Sequence, residues 1–353
     1  MTEKLTRQAL ETYGQPLIEL TEDLPTVQGG EILVKIRHCG VCHSDLHLQD
    51  GHFDYGGEQK ASIAGLHKLP HTLGHEIEGE VVAVGPDATG VSVGERRAVY
   101  PWIGCGSCSN CKKEVEHLCD APRALGITRA GGYATHVVVP DTRYLIDYTG
   151  IPAEVAGSLM CAGLTGYAAL KKLPANVSAS PKLIIGLGGV GMMALKMANL
   201  MFETAPVVAE LDPAKRDEAL AMGALDAFDP TDRDAVKAAK KKHGLFDGIV
   251  DFVGNPKTVQ LGMSLVNKGG RVVIVGLFGG EMRYPIPMLA QREVSVVGSY
   301  VSSLPDAIEM MELVKAKGGV GNVSISTRPM NEASAALDDL RAGKVNGRVV
   351  LTD

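Results

Sequence analysis

The sequence predicts an α/β protein in which a doubly wound, dinucleotide-binding domain is inserted into a strand-rich domain. The chain of 353 residues is longer than one hydrophobic core usually supports, so we expect two domains. Short apolar runs alternate with helical stretches over residues 151–291, a pattern typical of a parallel sheet covered by helices. Candidate metal ligands precede this segment and the stretch GRVVL follows it. Residues 1–150 and 292–353 are therefore expected to form the other domain.

The composition favours a small-molecule partner. Hydrophobic residues make up 45% of the chain and charged residues 22%, as in soluble globular proteins. The formal net charge of −6 provides no basic surface for nucleic acid or anionic lipid. We expect no signal peptide and no transmembrane helix, because the first residues are polar and no run approaches about 18 apolar residues. A cytoplasmic location is expected, where clustered cysteines more often bind metal than form disulfides.

Four of the seven cysteines lie in a predicted lobe at about residues 101–120. They follow the spacing C-x2-C-x2-C-x7-C and are Cys105, Cys108, Cys111 and Cys119. Four thiolates suit a tetrahedral zinc ion with no vacant position, which is the arrangement of a structural site. An iron–sulfur cluster and reduced surface cysteines are the alternatives. The long last spacing and the absence of a proline after Cys119 count against the cluster.

A second set of candidate ligands is dispersed along the chain. Cys42 lies in CGVCHSDLH, His75 and Glu76 lie in LGHEIEGEVVAVG, and Cys161 lies in MCAGLTGYAAL. Two cysteines and one histidine leave one position of a tetrahedral zinc ion open, as a catalytic site requires. Each signal is weak by itself, because a single cysteine or histidine is more often a packing or hydrogen-bonding group.

The stretch GLGGVG predicts a dinucleotide-binding turn. It follows the predicted strand 182–185 and opens a helix rich in Met, Ala and Leu, which is the context that this motif needs. The candidate cofactor contacts in it are Gly186, Leu187, Gly188, Gly189, Val190 and Gly191. Glu210 ends the next predicted strand, where a carboxylate accepts hydrogen bonds from the adenosine ribose and favours NAD over NADP. A solvated loop carboxylate is the alternative, since Asp212 lies two residues further on.

Together these stretches closely resemble the zinc-dependent medium-chain alcohol dehydrogenases. The resemblance rests on CGVCHSDLH, LGHEIEGEVVAVGP, the four-cysteine lobe, CAGLTGY, GLGGVG and GRVVL, which span residues 39–351 in the order of the family. It implies a GroES-like β-barrel catalytic domain that carries the zinc lobe and contains an inserted Rossmann domain. Cys161 lies only 42 positions after Cys119, a spacing that resembles the shorter microbial type, which implies a homo-oligomer, either a tetramer or a dimer.

The resemblance also implies how the second metal site is built. Cys42, His75 and Cys161 would hold a catalytic zinc ion. Glu76 resembles a neighbouring carboxylate that briefly replaces the solvent ligand. Asp45 resembles the acceptor that orients His75, because the far ring nitrogen of a metal-bound histidine needs a hydrogen-bond partner.

Further implied roles concern the proton, the cofactor and the reaction. Ser44 and His47 resemble the proton relay of the family. The other implied cofactor contacts are Thr165, Val275 and Leu277 beside the nicotinamide, and His43, Lys215 and Arg348 at ribose or pyrophosphate. The implied cofactors are two zinc ions per chain and NAD. The implied reaction is the reversible oxidation of primary or secondary alcohols to aldehydes or ketones, with the metal as Lewis acid and hydride transfer to NAD.

Two other functions stay open at this point. A thiol-linked, formaldehyde-type aldehyde dehydrogenase of the same fold would share both zinc sites, and a non-catalytic NAD-sensing zinc module would bind the cofactor without turnover. His75 lies 33 positions after Cys42, a longer spacing than in ethanol-type relatives, and the surplus includes residues 56–68. We interpret this loop either as a mobile segment near the substrate pocket or as a peripheral excursion. Trp102 either forms a wall of that pocket or packs in the core.

Overall fold

The computed structural model describes residues 3–56, 59–177 and 179–353. The chain forms two compact units. The first consists of the described residues of Met1–His52, Ser62–Leu164 and Ser302–Asp353. The second consists of the described residues of Phe53–Ala61 and Thr165–Val301. The second unit is therefore inserted into the first, and a short hairpin from the early part of the chain belongs to it.

The described residues form eighteen strands. In chain order these are β1 (Lys4–Leu10), β2 (Ile18–Asp23), β3 (Ile32–Gly40), β4 (His52–Gly56), β5 (Gln59–Ser62), β6 (His71–Thr72), β7 (Glu76–Val84), β8 (Arg96–Val99), β9 (His136–Val139), β10 (Leu145–Ile146), β11 (Leu183–Ile185), β12 (Val207–Ala209), β13 (Asp226–Phe228), β14 (Phe246–Asp251), β15 (Val266–Ile274), β16 (Ser295–Gly298), β17 (Ile325–Pro329) and β18 (Arg348–Thr352).

Eleven α-helices accompany these strands in the described part of the chain. They are α1 (His43–Asp50), α2 (Ser109–Lys112), α3 (Ala153–Ser158), α4 (Leu164–Lys171), α5 (Gly189–Met201), α6 (Pro213–Ala221), α7 (Arg233–His243), α8 (Pro256–Leu265), α9 (Ile286–Arg292), α10 (Leu304–Ala316) and α11 (Ala333–Arg341). A π-helical turn at Leu159–Gly163 joins α3 to α4. None of these helices is both long enough and apolar enough to cross a membrane.

The first unit is built mainly from antiparallel sheet. Its larger sheet has the order β10-β8-β7-β3-β18-β17, and β9 also pairs with β3. Strand β3 pairs antiparallel with β7, with β9 and with β18. A smaller sheet has the order β2-β1-β6. The central strand β3 is rich in Ile and Val, which suits a pleated surface covered on both faces, and most of its residues are buried.

The second unit is a six-stranded parallel sheet. Its order is β13-β12-β11-β14-β15-β16, and every pair of neighbouring strands in it is parallel. Counted from β11, this is the order 3-2-1-4-5-6 of a doubly wound dinucleotide-binding sheet. The central strands are continuous apolar runs because helices cover both faces. Their buried side chains include Leu183, Ile185, Val207, Ile249 and Val272.

The two units divide the chain at other residues than the predicted domain boundaries at 150/151 and 291/292. Residues 153–158 form α3, which packs on β3 and β7 and so belongs to the first unit. Residues 295–298 form β16, which pairs with β15 at the end of the parallel sheet and so belongs to the second unit. In the predicted excursion at residues 56–68, Gly57 and Glu58 lie outside the described residues. The remainder contains β5, which pairs with β4.

Candidate metal centres and nucleotide-binding turn

The pairing of β3 with β7 brings Cys42 next to His75. Gly40, the last residue of β3, lies opposite Glu76, the first residue of β7. Cys42 follows β3 by two residues and His75 precedes β7 by one. Both side chains therefore leave the sheet at the same end, although they lie 33 positions apart in the sequence.

Cys161 reaches the same place from the π-helical turn Leu159–Gly163. Single turns of this type inside helices are frequent at functional sites. The Sγ atom of Cys161 lies 3.9 Å from the Sγ atom of Cys42 and 3.3 Å from Nε2 of His75. One ligand atom from each of Cys42, His75, Cys161 and Glu76 lies within 4.8 Å of all the others, and all four residues are buried.

These separations fit a shared zinc ion. Two thiolates at about 2.3 Å from a tetrahedral zinc ion would lie about 3.8 Å apart, and a thiolate and an imidazole nitrogen would lie about 3.6 Å apart. The observed distances of 3.9 Å and 3.3 Å are close to both values. A disulfide would require about 2.0 Å between the sulfur atoms. The donor set of two sulfurs and one nitrogen matches a zinc site that keeps one position open.

Asp45 fixes the residues around the candidate metal ligands through hydrogen bonds. Its Oδ2 atom accepts hydrogen bonds from the backbone nitrogen of Cys42 at 3.0 Å and from the hydroxyl of Tyr133 at 2.9 Å. Its Oδ1 atom accepts one from the backbone nitrogen of Gly74 at 3.2 Å and lies 3.4 Å from Nδ1 of His75. Burial opposes protonation of His75, but Asp45 outweighs it, and the pKa of the imidazole is raised well above its ordinary value. A carboxylate in this position makes Nε2 a stronger metal ligand.

Glu76 lies beside the ligands and is ion-paired with Arg348. Arg348 Nη2 and Ser158 Oγ both donate to Oε2 of Glu76, the latter at 2.7 Å. The other oxygen, Oε1, is buried and makes no hydrogen bond with any described residue. Burial raises the pKa of Glu76, and Arg348 opposes the rise. An unpaired buried carboxylate oxygen among ligand atoms has the chemistry of an additional metal ligand.

Two features of the backbone bring Arg348 and Glu76 together. Strand β18 pairs antiparallel with β3 so that Val350 lies opposite Gly40, which puts Arg348 alongside Cys42. Gly40 leaves room for the carboxylate, because a Cβ atom there would lie 2.1 Å from Oε2 of Glu76. Arg348 is expected from the sequence as a cofactor contact, and the structure places it on Glu76.

Helix α1 carries the residues of the expected relay. The hydroxyl of Ser44 lies 3.8 Å from Sγ of Cys42. His43 is exposed and His47 is half-buried one turn later, so their side chains are neighbours on the helix surface. Burial lowers the pKa of His47, and the charge of His43 lowers it further. His47 is therefore a neutral proton acceptor at neutral pH.

The four-cysteine lobe contains a second compact cluster of thiols. The distances from Cys108 Sγ are 3.5 Å to Cys111 Sγ and 3.7 Å to Cys119 Sγ, and Cys105 Sγ lies 3.9 Å from Cys111 Sγ. These values scatter around the 3.8 Å or so expected for four thiolates on one zinc ion. Four cysteine ligands would fill every position of a tetrahedral zinc ion, so this site leaves no position for substrate. Gly104 leaves room for the thiol of Cys111, because a Cβ atom at Gly104 would lie 2.4 Å from Cys111 Sγ.

Backbone amides support the thiolates of this lobe. The sulfur of Cys105 accepts from the backbone nitrogens of Ser107 at 3.5 Å and Cys108 at 3.4 Å. The Ser107 hydroxyl and these amides lower the pKa of Cys105 to about 5. Burial raises the pKa of Cys111 to about 12. Thiolates are the form that binds zinc, so the lobe already stabilises the anionic form of one of its two partly exposed cysteines.

In the second unit, the glycine stretch forms the turn between β11 and α5. Gly186 has a positive φ of 87°, which glycine adopts without strain. Gly191 packs directly on this turn, because a Cβ atom there would lie 2.0 Å from the carbonyl oxygen of Gly186. Gly188 caps α5 and has no atom near its missing Cβ. The turn is therefore open above Gly188, where the amino end of α5 favours a phosphate.

Four other predicted cofactor contacts lie in the second unit near the carboxyl end of its sheet. Glu210 follows β12, and its Oε2 atom accepts a hydrogen bond at 2.6 Å from the backbone nitrogen of Leu187 in the glycine turn. Val275 and Leu277 follow β15, and Leu277 is 48% exposed. Lys215 lies in the first turn of α6. Ligands of doubly wound sheets bind at this edge.

Two further residues are placed as follows. Thr165 is a buried residue near the start of α4 and is the first residue of that stretch of the second unit. Trp102 is 4% exposed, and its ring centroid lies 5.4 Å from that of His75. Its indole nitrogen donates to the carbonyl of Met160 at 3.0 Å. Trp102 therefore packs in the core beside the candidate metal ligands.

Several supporting residues were not foreseen from the sequence. Tyr133 and Ser158 hold Asp45 and Glu76 through their hydroxyl groups, and the ion pair between Arg348 and Glu76 was also missed. Nothing in the spacing of Tyr133 signals its role. Ser158 lies three residues before Cys161, and a polar residue so close to a candidate ligand in an apolar helix was the available signal.

The fold and the site define a zinc-type oxidoreductase with a catalytic unit and a dinucleotide-binding unit. The family model of the alcohol dehydrogenase GroES-like domain matches residues 28–149, and that of the zinc-binding dehydrogenases matches residues 189–316. An NAD-dependent alcohol dehydrogenase of Sulfurisphaera tokodaii is 35% identical over 340 residues, which cover 96% of this chain and 97% of the relative. The chain belongs to the zinc-dependent medium-chain alcohol dehydrogenase family. The predicted family and fold class are thereby confirmed.

Solved structures agree with this assignment. The alcohol dehydrogenase of Aeropyrum pernix has a TM-score of 0.83 at 28% identity, covering 99% of this chain and 100% of that one. Acetophenone reductase of Geotrichum candidum in complex with NAD also has a TM-score of 0.83, at 29% identity, covering 100% of this chain and 98% of that one. Both matches extend over at least 99% of this chain.

Proposed function

We propose that this protein is an NAD-dependent alcohol dehydrogenase that reversibly oxidises primary or secondary alcohols to aldehydes or ketones. The observation that carries this proposal is the buried cluster of Cys42, His75 and Cys161, a three-ligand set that leaves one zinc position for substrate. Relatives named as NAD-dependent alcohol dehydrogenases match nearly the full length of this chain. The protein is an oxidoreductase acting on the CH–OH group.

Zinc and NAD are its cofactors. One zinc ion would be held by Cys42, His75 and Cys161, and a second by the four cysteines of the lobe; the observed sulfur separations support both assignments. A zinc ion bound at the open site supplies Lewis acidity, which lowers the pKa of a hydroxyl group. NAD supplies the hydride acceptor. The NAD assignment is supported by the glycine turn, by Glu210 and by the names of the relatives.

The residues around the open site prepare an alcohol for losing its proton. We assign Asp45 to fix the His75 ring and the loop at Cys42, which keeps the ligand geometry constant during turnover. Glu76 would offer its Oε1 atom, which has no hydrogen-bond partner among the described residues, as a further oxygen ligand for a bound zinc ion. Arg348 keeps this carboxylate partly neutralised, because a buried anion beside two thiolates would otherwise be costly.

Ser44 and His47 form the path for the proton in this proposal. Ser44 stands next to Cys42, so its hydroxyl accepts the proton from the substrate hydroxyl and donates its own onward. His47 is half-buried and has a lowered pKa, so it is neutral and accepts that proton at neutral pH. Proton transfer through such groups contributes about 10² to 10⁴ in rate.

The nucleotide contacts divide between phosphate, ribose and nicotinamide. We assign Gly186–Gly191 to the pyrophosphate and Glu210 to the adenosine ribose. Lys215, His43 and Arg348 are assigned to ribose or pyrophosphate, and Thr165, Val275 and Leu277 to the nicotinamide. The carboxylate of Glu210 repels a 2′-phosphate, so we expect NAD rather than NADP. The first compact unit would carry out catalysis, and the described residues of Thr165–Val301 in the second unit would bind NAD.

We further propose a homo-oligomer, a dimer or tetramer, in the cytoplasm. Strand β16 is the last strand of the parallel sheet on its side and pairs only with β15 among the described strands. Exposed apolar side chains lie close to it in the sequence: Phe278 at 67%, Met282 at 46% and Ile286 at 80% exposure. Open strand edges and contiguous apolar surface favour association with another chain. Seven free cysteines are consistent with a reducing compartment.

The test is an absorbance assay of NADH formation with a panel of alcohols, together with a zinc determination. We expect turnover with NAD and two zinc ions per chain. The variant Cys42→Ala is expected to lose activity together with one zinc ion. Retained turnover in this variant would overturn the proposal. A rate that requires an added thiol with an aldehyde would favour the thiol-linked aldehyde dehydrogenase, and NADH binding without turnover would favour a sensing module.

A further inference from the structure

Asp251 is a buried carboxylate to which the proposed alcohol chemistry gives no role. It is the last residue of β14, at the carboxyl end of the parallel sheet, and its exposed fraction is 0%. It makes no ion pair with any described residue. Burial raises the pKa of its carboxyl group, because the charged form loses its solvent. A buried carboxylate without a neighbouring cation is costly, so its position calls for an explanation.

The carboxylate of Asp251 organises the loop that follows β14. Its Oδ1 atom accepts hydrogen bonds from the backbone nitrogens of Val253 at 2.9 Å and Gly254 at 3.0 Å. Its Oδ2 atom accepts one from the hydroxyl of Thr258 at 2.7 Å, in the first turn of α8. Hydrogen bonds to a charged acceptor are stronger than neutral ones. These three bonds therefore offset the cost of burial and fix the chain between β14 and α8.

The loop that follows β15 lies directly on this first loop. A Cβ atom at Gly254 would lie 1.9 Å from the carbonyl oxygen of Gly276, and one at Gly276 would lie 2.0 Å from the carbonyl carbon of Val253. The backbone nitrogen of Phe278 donates to the carbonyl of Val253 at 3.2 Å. Backbone contact this close leaves no room for a side chain between the loops, so the position of one determines that of the other.

The backbone of Asp251 binds the second loop as well. Its carbonyl oxygen accepts hydrogen bonds from the backbone nitrogens of Val275 at 2.9 Å and Gly276 at 3.1 Å. One residue therefore holds both loops, the first mainly through its carboxylate and the second through its carbonyl. The second loop carries Val275 and Leu277, which are assigned to the nicotinamide in the proposed function.

The glycine turn has its own anchors. The backbone nitrogen of Gly186 donates to the carbonyl of Ala209 at 2.9 Å, and Glu210 accepts from the next amide at 2.6 Å. The side chain of Val253 packs on this turn, since a Cβ atom at Gly186 would lie 2.5 Å from its Cγ2 atom. The hydrogen bonds of the turn nevertheless come from β12 and the residue after it. The carboxylate of Asp251 thus supports the nicotinamide end of this edge more than the pyrophosphate end.

We propose that Asp251 is a positioning residue for the nicotinamide end of the bound dinucleotide. Its carboxylate fixes the loop after β14, and backbone contact transmits that fixed position to residues 275–277. A preorganised loop loses less conformational entropy when a ligand binds, so the effect is on affinity for the nicotinamide part of the cofactor. This inference rests on the proposed function, because it requires a dinucleotide to bind at this edge of the sheet.

The test is isothermal titration calorimetry of the zinc-loaded protein with NADH and with ADP-ribose, which lacks the nicotinamide. Asp251→Ala should weaken NADH binding by about fivefold or more and ADP-ribose binding by about twofold at most. Asp251→Asn should stay within about twofold of the unmodified protein, because its amide oxygen still accepts from Val253 and Gly254. Asp247→Ala is the matched control, since Asp247 lies near the other end of β14 and accepts only from Asn267 among the described residues. It should leave both affinities unchanged.

Hydrogen exchange followed by mass spectrometry gives a second measurement that needs no cofactor. In Asp251→Ala, the amides of residues 253–254 and 275–278 should exchange faster than in Asp247→Ala, because both loops lose their anchor. Thr258→Val leaves Oδ2 of Asp251 without its hydroxyl partner and should accelerate exchange at the same residues to a smaller extent. This variant tests the inference if Asp251→Ala does not fold. In turnover assays, the KM for NAD should rise while the KM for alcohol at saturating NAD stays the same.

Two results would overturn the role of Asp251 and leave the proposed function intact. One is equal weakening of NADH and ADP-ribose binding in Asp251→Ala, which would show general damage to the second unit. The other is unchanged NADH affinity in Asp251→Ala or, where that variant does not fold, unchanged exchange in Thr258→Val. Failure of the unmodified protein to bind NADH would overturn the proposed function and this inference with it.

Discussion

The two metal centres of this protein are built in opposite ways. The four ligands of the lobe come from residues 105–119, and two of them, Cys105 and Cys108, are partly exposed. The ligands of the open site come from three segments between Cys42 and Cys161, and all are buried. The lobe is a local structure that a metal ion can order. The open site forms only after β3, β7 and α3 have packed. Its ligands are therefore positioned by the fold, and the fold does not need a metal ion at this site in order to form.

The largest expected effect distinguishes the catalytic role of the open site from the structural role of the four-cysteine lobe. Cys42→Ala should lower kcat/KM by about 10³-fold or more, because several kcal/mol of Lewis-acid stabilisation are lost. Thermal stability should change little, since the surrounding sheet is complete without the ligand. Activity assays and thermal unfolding of the zinc-loaded variant measure both effects. A large loss of stability with the activity retained would reverse the roles of the two centres.

Cys108→Ser should have the complementary effect. A structural zinc site contributes on the order of 10 kcal/mol to local folding, so loss of one ligand should remove one zinc ion and lower the midpoint of thermal unfolding by many degrees. Activity at low temperature should fall less than stability. Zinc analysis and calorimetry test this. Unchanged zinc content together with full stability would show that the lobe needs no metal.

Metal removal should make the cysteines of the two centres differ in reactivity. The Ser107 hydroxyl and neighbouring amides lower the pKa of Cys105 to about 5, so this residue is a thiolate at pH 7. The neighbouring sulfur of Cys42 and burial both raise the pKa of Cys161 well above its ordinary value. After chelation, iodoacetamide should therefore alkylate Cys105 much faster than Cys161.

The pH dependence of this reaction follows from the sign of each shift. A rate at Cys105 that levels off above about pH 6 would show that the lobe keeps its fold without the metal, whereas a rate that still rises toward about pH 9 would show that the metal orders it. The rate at Cys161 should still rise with pH in the alkaline range. Peptide mass spectrometry after timed alkylation measures both rates. Equal rates at the two residues at pH 7 would contradict the difference between the centres.

Two glycines allow a smaller perturbation of each centre. An added Cβ would lie 2.1 Å from Glu76 Oε2 at Gly40 and 2.4 Å from Cys111 Sγ at Gly104. Gly40→Ala should lower kcat by tenfold or so with a modest loss of stability, and Gly104→Ala should lower zinc affinity of the lobe, because the neighbouring side chain must move in each case. Gly298→Ala, with no atom near its Cβ, is the control.

His47→Ala should have the mildest effect on the open site. Proton release should slow by about tenfold or less, because solvent can partly replace a single base, and the difference should disappear at low pH, where His47 of the unmodified protein is itself protonated. Zinc content should stay at two ions per chain. The measurement is the pH profile of kcat. A profile identical to that of the unmodified protein would remove His47 from the relay.

Sequence patterns predicted the local features of this molecule well. The spacing of the four cysteines, the glycine turn after an apolar strand and the alternation of strands with helices all depend on residues close together in the chain, and the parallel sheet and the thiol cluster follow from them. The domain limits were harder, because β16 and α3 join their units through contacts with strands far away in the sequence.

The sequence by itself determined the chemistry that is available: thiolates, imidazoles and a glycine turn, in an order typical of one family. Only the tertiary structure decided how these groups are used. The register between β3, β7 and β18 put Cys42, His75 and Arg348 at one end of a sheet and paired Arg348 with Glu76. It left Glu76 Oε1 without a hydrogen-bond partner among the described residues. The physical reason is that side-chain direction alternates along a strand. Which residues meet across a sheet therefore depends on register, which no single segment contains.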